Sequence, residues 1–331
     1  MTPLESIGSW PLWAGFIVFV LVMLALDLGV FHRKSHVVTM REAIAWSLVW
    51  VAMAAIFTLG IYVWFGAERA LELTAGYLIE KALAVDNIFV FVVIFSAFSI
   101  KPEHQHRVLF WGVLGALVMR AAFIFAGSAF LARFHWAMYV FGGILAITGI
   151  KLFFSRQENV HPEKNPLVRL VQRFLPLTTD DAGDRFTLRK NGKLFATPLL
   201  LALVAAEVTD VIFAIDSIPA IFAVTSDPFI VFTSNIFAIL GLRSLSFLLA
   251  GVVSKFAYLK YGLSTVLVFV GAKMLLVDVF KVPIVASLGV IVATLAISIG
   301  ISIWKAPRVE APLRPAPVPV PVPETVPSKR A

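Results

Sequence analysis

Six acidic residues stand inside long apolar runs of this chain: Asp27, Glu80, Asp86, Glu207, Asp210 and Asp216. A charged side chain at the centre of a membrane helix costs roughly 2.5–3.5 kcal/mol on insertion scales, so the set implies a use. Carboxylate oxygen suits hard cations such as Mn²⁺, Mg²⁺ and Ca²⁺. Arg120 and Arg243 lie in runs of the same kind. They have two readings: counter-charges that hold carboxylates in place, or bidentate hosts for an oxyanion substrate. Six acids around two arginines favour a cation. The plainer alternative is that the acids are fixed by internal ion pairs, with Arg120, Arg243 and Lys81 as partners.

Spacing adds a partial geometry. Glu207 and Asp210 share a helix face at i, i+3. Glu80 and Asp86 stand six apart, as do Asp210 and Asp216. On an unbroken helix six residues amount to about 9 Å of rise, which one ion does not span easily. Gly76 before Glu80 and Pro219 after Asp216 predict distortion nearby, and a broken helix frees carbonyls that can ligate cations. The simplest site places Asp86 and Asp216 centrally, with Glu80 and Asp210 flanking them. Asn87 and Ser217 add neutral oxygens.

Other chemistries are excluded or unsupported. The sequence has no cysteine, which removes thiolate metal sites and disulfides. Every histidine (His32, His36, His104, His106, His135, His161) falls in a loop or at the end of a run, so zinc and copper are disfavoured. No GxxxxGK[ST] loop appears, which argues against ATP-driven pumping by this chain. No nucleophile–base constellation marks a hydrolase, and the chain is not expected to be an enzyme or to hold a permanent cofactor. The net charge of +8 does not point to nucleic acid, because the basic residues gather in the gaps between apolar runs, as membrane topology requires.

The elements that must position these residues are membrane helices. The sequence is 60% hydrophobic and 15% charged, against about 25% charged in soluble domains. Nine apolar spans are expected, near Leu12–Phe31, Ala43–Phe65, Leu73–Phe98, Val108–Leu131, Ala137–Phe154, Phe195–Val224, Phe229–Val253, Tyr258–Phe280 and Pro283–Trp304. The third and sixth are overlong, which predicts tilt or a break. Lys and Arg crowd the gaps after the odd-numbered spans, whereas Arg69, Arg133 and Lys281 alone occupy the other side. That asymmetry sets the N-terminus outside and the C-terminus in the cytoplasm. Glu5 is the only charge before the first run, so a cleaved signal peptide is not expected. Within the loop Ser155–Leu194, Pro166–Leu175 reads as a basic amphipathic helix on the membrane, and Asn191-Gly192 signals a hairpin turn. The tail from Ala306 is Pro-rich. It is a candidate ligand for a protein partner, against the plainer reading of a solvated segment.

An internal repeat organises the spans. Glu80-Lys-Ala-Leu-Ala-Val-Asp86-Asn87-Ile88 matches Asp210-Val-Ile-Phe-Ala-Ile-Asp216-Ser217-Ile218. Ala116-Leu-Val-Met-Arg120 pairs with Ile239-Leu-Gly-Leu-Arg243, and Gly149-Ile-Lys151-Leu with Gly271-Ala-Lys273-Met. Three helices per repeat invert its direction, as in many secondary transporters. The fold class expected is all-α and polytopic, with an inverted three-helix repeat. Two N-terminal helices (1–71) precede repeat one (72–154), a cytoplasmic loop (155–194), repeat two (195–281), a last helix (282–305) and a disordered cytoplasmic tail (306–331).

The sequence resembles the TerC/Alx family of membrane proteins over roughly residues 10–305. The resemblance is carried by Leu26-Asp-Leu-Gly-Val-Phe-His-Arg-Lys34, the Glu80–Ile88 segment, Asn191-Gly-Lys-Leu-Phe-Ala-Thr-Pro198, Glu207-Val-Thr-Asp-Val-Ile-Phe-Ala-Ile-Asp-Ser-Ile-Pro219 and Asn235-Ile-Phe-Ala-Ile-Leu-Gly-Leu-Arg-Ser244. It implies tellurium resistance and metal-ion homeostasis, with manganese export foremost, and kinship with LysE-type exporters. It implies that the intramembrane acids form the ion pathway, carried over to Glu80, Asp86, Asn87, Asp210 and Asp216. The expected function is a secondary transporter in the inner membrane exporting Mn²⁺ as substrate, with Glu207, Ser217, Arg120, Arg243 and Asp27 in support. The rivals are an exporter of tellurite or another small solute, and a membrane scaffold acting through its loop and tail.

Overall fold

A computed structural model describes residues 6–29, 39–154, 183, 185–190, 192–242, 244–246 and 258–305. The order is α1 (Trp10–Gly29), α2 (Met40–Phe65), α3 (Ala67–Ala97), α4 (Pro102–Arg133), α5 (Ala137–Phe154), β1 (Thr187–Lys190), β2 (Lys193–Ala196), α6 (Pro198–Phe222), α7 (Pro228–Leu240), α8 (Leu259–Leu275) and α9 (Ile284–Trp304). The predicted amphipathic helix Pro166–Leu175, the Pro-rich tail and Arg243 lie outside the described residues. Of Asp27 and Asp86, only the helical backbone lies within them.

Local chemistry starts the helices where the sequence breaks. Thr39 and Glu42 form a reciprocal capping box at the head of α2, with the Glu42 amide donating to Thr39 Oγ1 at 3.3 Å and the Thr39 amide to Glu42 Oε2 at 3.1 Å. Pro102, Pro198 and Pro228 open α4, α6 and α7, where a missing N–H costs nothing. Asp227 caps α7 by accepting from the Phe229 amide at 2.9 Å. It also accepts from Ser6 Oγ and the Ile7 amide, both at 2.8 Å, tying the N-terminal segment to that helix end. Strands β1 and β2 form the predicted antiparallel hairpin. Gly192 sits at φ +77°, and Lys190 pairs with Lys193.

Helices α2, α4, α5, α6 and α9 are long and apolar enough to cross a membrane, and the apolar stretches Trp10–Ala25 and Pro228–Leu240 are shorter. Their outward faces are apolar too: Leu48 is 63% exposed, Ile56 66% and Ile303 66%. Water would not tolerate apolar faces of that extent; lipid does. The protein is therefore an integral membrane helical protein.

The long third and sixth helices are continuous. Gly76 does not break α3. A Cβ there would meet Ser234 Oγ at 2.8 Å and Ile221 Cγ2 at 3.2 Å, so this glycine lets α3 lie close against α6 and α7. Pro219 falls in the last turn of α6. There it removes one backbone donor rather than ending the helix.

Helix α3 packs on α6 and α7, α4 packs on α6 and α7, and α5 packs on α8. Glycines set the α5–α8 contact. A Cβ on Gly271 would meet the Ala146 nitrogen at 2.6 Å and the Gly142 oxygen at 2.7 Å; one on Gly149 would meet the Val268 nitrogen and the Ser264 oxygen, both at 2.9 Å. The pairs are reciprocal: in the sequence repeat, Gly149 corresponds to Gly271, Ser264 to Gly142 and Val268 to Ala146. Ser264 Oγ adds a bond to the Gly149 carbonyl at 2.5 Å. Small residues allow this backbone approach, which is what drives association in lipid.

The same helix pair is tied at one end. Asp278, in the turn after α8, accepts from Tyr139 Oη at 2.5 Å and pairs with His135 Nε2 at 2.8 Å. The Tyr139 bond, then the His135 bond, hold its carboxyl below the usual carboxylate range. A lowered value means stabilisation that is present above the unfolded pKa of about 3.9 and lost as pH falls through the folded value. Asp278→Asn is expected to destabilise slightly at pH 7 and not at all once the wild-type group is protonated. Thermal melts of both proteins from pH 3 to 8 check this, and a difference that persists undiminished at pH 3 contradicts it.

Candidate functional site: a buried acid–arginine cluster beside a polar cavity

Arg120 lies midway along α4 and is fully buried. Its Nε donates to Asp210 Oδ2 at 3.1 Å and its Nη2 to Asp210 Oδ1 at 2.9 Å, a two-pronged grip on one carboxylate. Nη1 bonds Glu80 Oε1 and reaches Ser217 Oγ at 3.3 Å and Asn235 Oδ1 at 3.4 Å. Asn87 Nδ2 approaches Asp210 Oδ1 at 3.5 Å. Five side chains from α3, α6 and α7 thus gather around one guanidinium. Glu80 is 1% exposed and Asp210 4%. In so dry a place unpaired charge is untenable, and the fork of Arg120 is what permits two carboxylates to coexist there.

The gathering follows from helix packing. Gly76 brings α3 against α6 and α7 one turn from Glu80, so Glu80 and Asp210 face each other across that contact with Arg120 entering from α4. The two acids are equivalent in the sequence repeat and sit on the same partner.

The cluster is not saturated. Among the described residues, Glu80 Oε2 and Asn235 Nδ2 are buried without a hydrogen-bond partner. Glu80 also lines a cavity of about 90 Å³ whose polar wall is completed by Asn87, Arg120, Thr148, Asp216 and Ser217, and whose apolar wall is Leu83, Leu152, Phe213 and Leu267. That volume admits a few waters or a small, partly hydrated ion. Asp216 is half-buried on α6 and accepts from Thr148 Oγ1 of α5 at 3.2 Å.

Of the residues expected from sequence, Glu80, Asn87, Asp210, Asp216, Ser217 and Arg120 come together around this cavity and its wall. Glu207 stands apart, half-buried on α6 with its carboxylate over Gly115 of α4, where a Cβ would collide with it. Arg243 and the side chains of Asp27 and Asp86 lie outside the described residues. Among the described residues, no three His, Asp or Glu groups converge as a closed metal cage. Glu80 and Asp210, expected as flanking ligands with Arg120 as a counter-charge, are both engaged by Arg120. Two participants, Asn235 and Thr148, carry no chemical signal in the sequence. Asn235 opens the motif Asn235–Ser244, whose sequence does not point to Arg120. Thr148 is a lone hydroxyl three residues before Lys151, and nothing local marks it.

Buried acids on a shared arginine, inside a bundle with lipid-facing apolar surfaces, define a polytopic membrane protein with a polar core. The integral membrane protein TerC family model matches residues 65–310, and the chain belongs to that family. It is similar to an uncharacterized membrane protein of Myxococcus xanthus, 60% identical over 306 residues (92% of this chain, 96% of that protein). It is similar to Alx of Escherichia coli strain K12, whose name proposes a membrane-bound redox modulator, at 48% over 311 residues (91% and 97%). A membrane protein of Rickettsia felis shares 41% over 291 residues (88% and 97%). No solved structure matches the chain.

Proposed function

We propose that this protein is a secondary transporter that carries a divalent cation, with Mn²⁺ export from the cytoplasm as the leading activity. The observation that carries the reading is Glu80 Oε2: a carboxylate oxygen, buried, without a partner among the described residues, on the wall of a polar cavity inside a membrane bundle. An oxygen left bare in that setting is costly, and a transient hard cation with part of its water shell would satisfy it. Asp216, Thr148, Ser217 and Asn87 offer further oxygens on the same wall. The arrangement favours a cation over an oxyanion, because Arg120 directs its donors to Glu80, Asp210, Ser217 and Asn235.

We further read nine crossings, an outside N-terminus and an inverted repeat whose halves alternate access by rocking. The reciprocal glycine contacts between α5 and α8, and the symmetric pairing of α3 with α7 and α4 with α6, support that reading. No enzymatic step and no permanent cofactor is part of it. The redox role that the name of Alx proposes would not run through thiols in this chain, which has no cysteine. It would be a consequence of altered metal levels.

The test is Mn²⁺ flux into proteoliposomes under imposed proton gradients of either sign. Wild type is expected to exceed empty liposomes. Asp216→Asn and Glu80→Gln are expected to reduce flux at least tenfold while the proteins remain folded. Flux that is absent in wild type, or unchanged in both variants, refutes the reading. Full activity in a chain lacking 306–331 is also expected, against a scaffold acting through its tail.

A further inference from the structure

Arg120 occupies the place that a cation would take. Its guanidinium is set between an acid of α3 and an acid of α6, with a hydroxyl and an amide oxygen completing the ring: two Asp210 oxygens at 2.9 and 3.1 Å, one Glu80 oxygen, Ser217 Oγ at 3.3 Å and Asn235 Oδ1 at 3.4 Å. An all-oxygen shell of carboxylates and neutral groups is what a hard divalent ion collects. Here it is filled by a positive charge tethered to α4. The shell is incomplete from the acid's side, since Glu80 Oε2 is buried on the cavity wall with no hydrogen-bond partner among the described residues.

We infer that Arg120 is a tethered stand-in for the transported cation, closing the site when it is empty and giving up Glu80 and Asp210 when a divalent ion arrives. The inference rests on the cation reading above. Two physical requirements lead to it. A pair of buried acids facing each other without any cation would repel, and each would bear the full penalty of desolvation. A guanidinium that never moved would repel a divalent ion entering a cavity that Arg120 itself lines. Displacement meets both. The empty site carries its own counter-charge and can reorient without cargo, whereas the loaded site exchanges one cation for another. Ser217 stands at the hand-over point: it accepts from Nη1 and also lines the cavity, so it can serve either cation without moving far.

A purely structural Arg120 and a competing Arg120 predict opposite signs for cation affinity. The experiment is Mn²⁺ titration of the full chain in detergent, read as the concentration that half-saturates its thermal stabilisation, for wild type, Arg120→Gln and Arg120→Lys. Removing the competitor is expected to tighten half-saturation at least tenfold in R120Q. R120K is expected to fall between, because one ammonium keeps the charge but does not fork onto Asp210 and reach Glu80 together. Mn²⁺ flux in R120Q should fall despite the tighter binding, since the empty site no longer carries its counter-charge. Equal or weaker Mn²⁺ binding in folded R120Q overturns the inference. If R120Q does not fold, equal or weaker binding in R120K does so. Stabilisation of wild type with none in either variant sinks the stand-in role alone. No stabilisation of any of the three proteins sinks it together with the cation reading.

Discussion

Arg120→Ala, in buffer free of divalent ions, is expected to lower the unfolding free energy by about 3–5 kcal/mol, the range for removing one partner of a buried charge pair. The loss comes chiefly from what is left behind. Asp210 loses both prongs of the guanidinium and Glu80 loses the bond to its Oε1, so two carboxylates remain in a site that is 1–4% exposed. The residual amide contact from Asn87 to Asp210, at 3.5 Å, is too long to compensate. A second substitution separates charge from packing. In the Arg120→Ala background, Glu80→Gln removes one stranded carboxylate and is expected to recover part of the loss, although the same change in wild type destabilises. Unfolding in detergent micelles for the four proteins of this cycle measures the coupling. Simple additivity of the two changes would show that the arginine and the acid do not act as a pair.

Gly271→Val should have the second large effect, through shape rather than charge. Even the first carbon of a side chain at Gly271 would stand 2.6 Å from the Ala146 nitrogen and 2.7 Å from the Gly142 oxygen. Both are backbone atoms, so no rotamer change relieves the clash; α5 and α8 must move apart. Overpacking of this kind costs roughly 1–3 kcal/mol, occasionally more, and a rigid backbone contact places Gly271 at the upper end. The separation also reaches the cavity, because α5 carries Thr148, which donates to Asp216 at 3.2 Å. Stability and Mn²⁺ flux are therefore expected to fall together. Gly143→Ala and Gly289→Ala are the controls: a Cβ at either position meets nothing within 4 Å, and alanine favours helix. A Gly271→Val protein as stable as Gly143→Ala would show that the helix pair is not held by backbone approach.

What the sequence determined by itself is what depends on local or summed properties. Composition and run length established a membrane protein, because the cost of exposed backbone and charge in hydrocarbon acts residue by residue. Apolar run length placed the helix starts only within several residues; the capping box at Thr39–Glu42 and the prolines at 102, 198 and 228 set them in the structure, within one turn. Asn191-Gly192 marked the hairpin, since a two-residue turn requires positive φ, and Gly192 supplies it. The intramembrane acids were legible for their rarity. Tertiary structure alone decided their partners. Arg120 lies 40 residues from Glu80 and 90 from Asp210, and no periodicity relates residues on different helices. For the same reason Thr148 carried no mark and Asn235, though inside a motif, no partner, and Gly76, read along the chain as a point of distortion, is in space the contact that lets three helices close around the arginine. Residue type shows what a side chain can do; which oxygens face which cation is set by how closely the helix backbones approach.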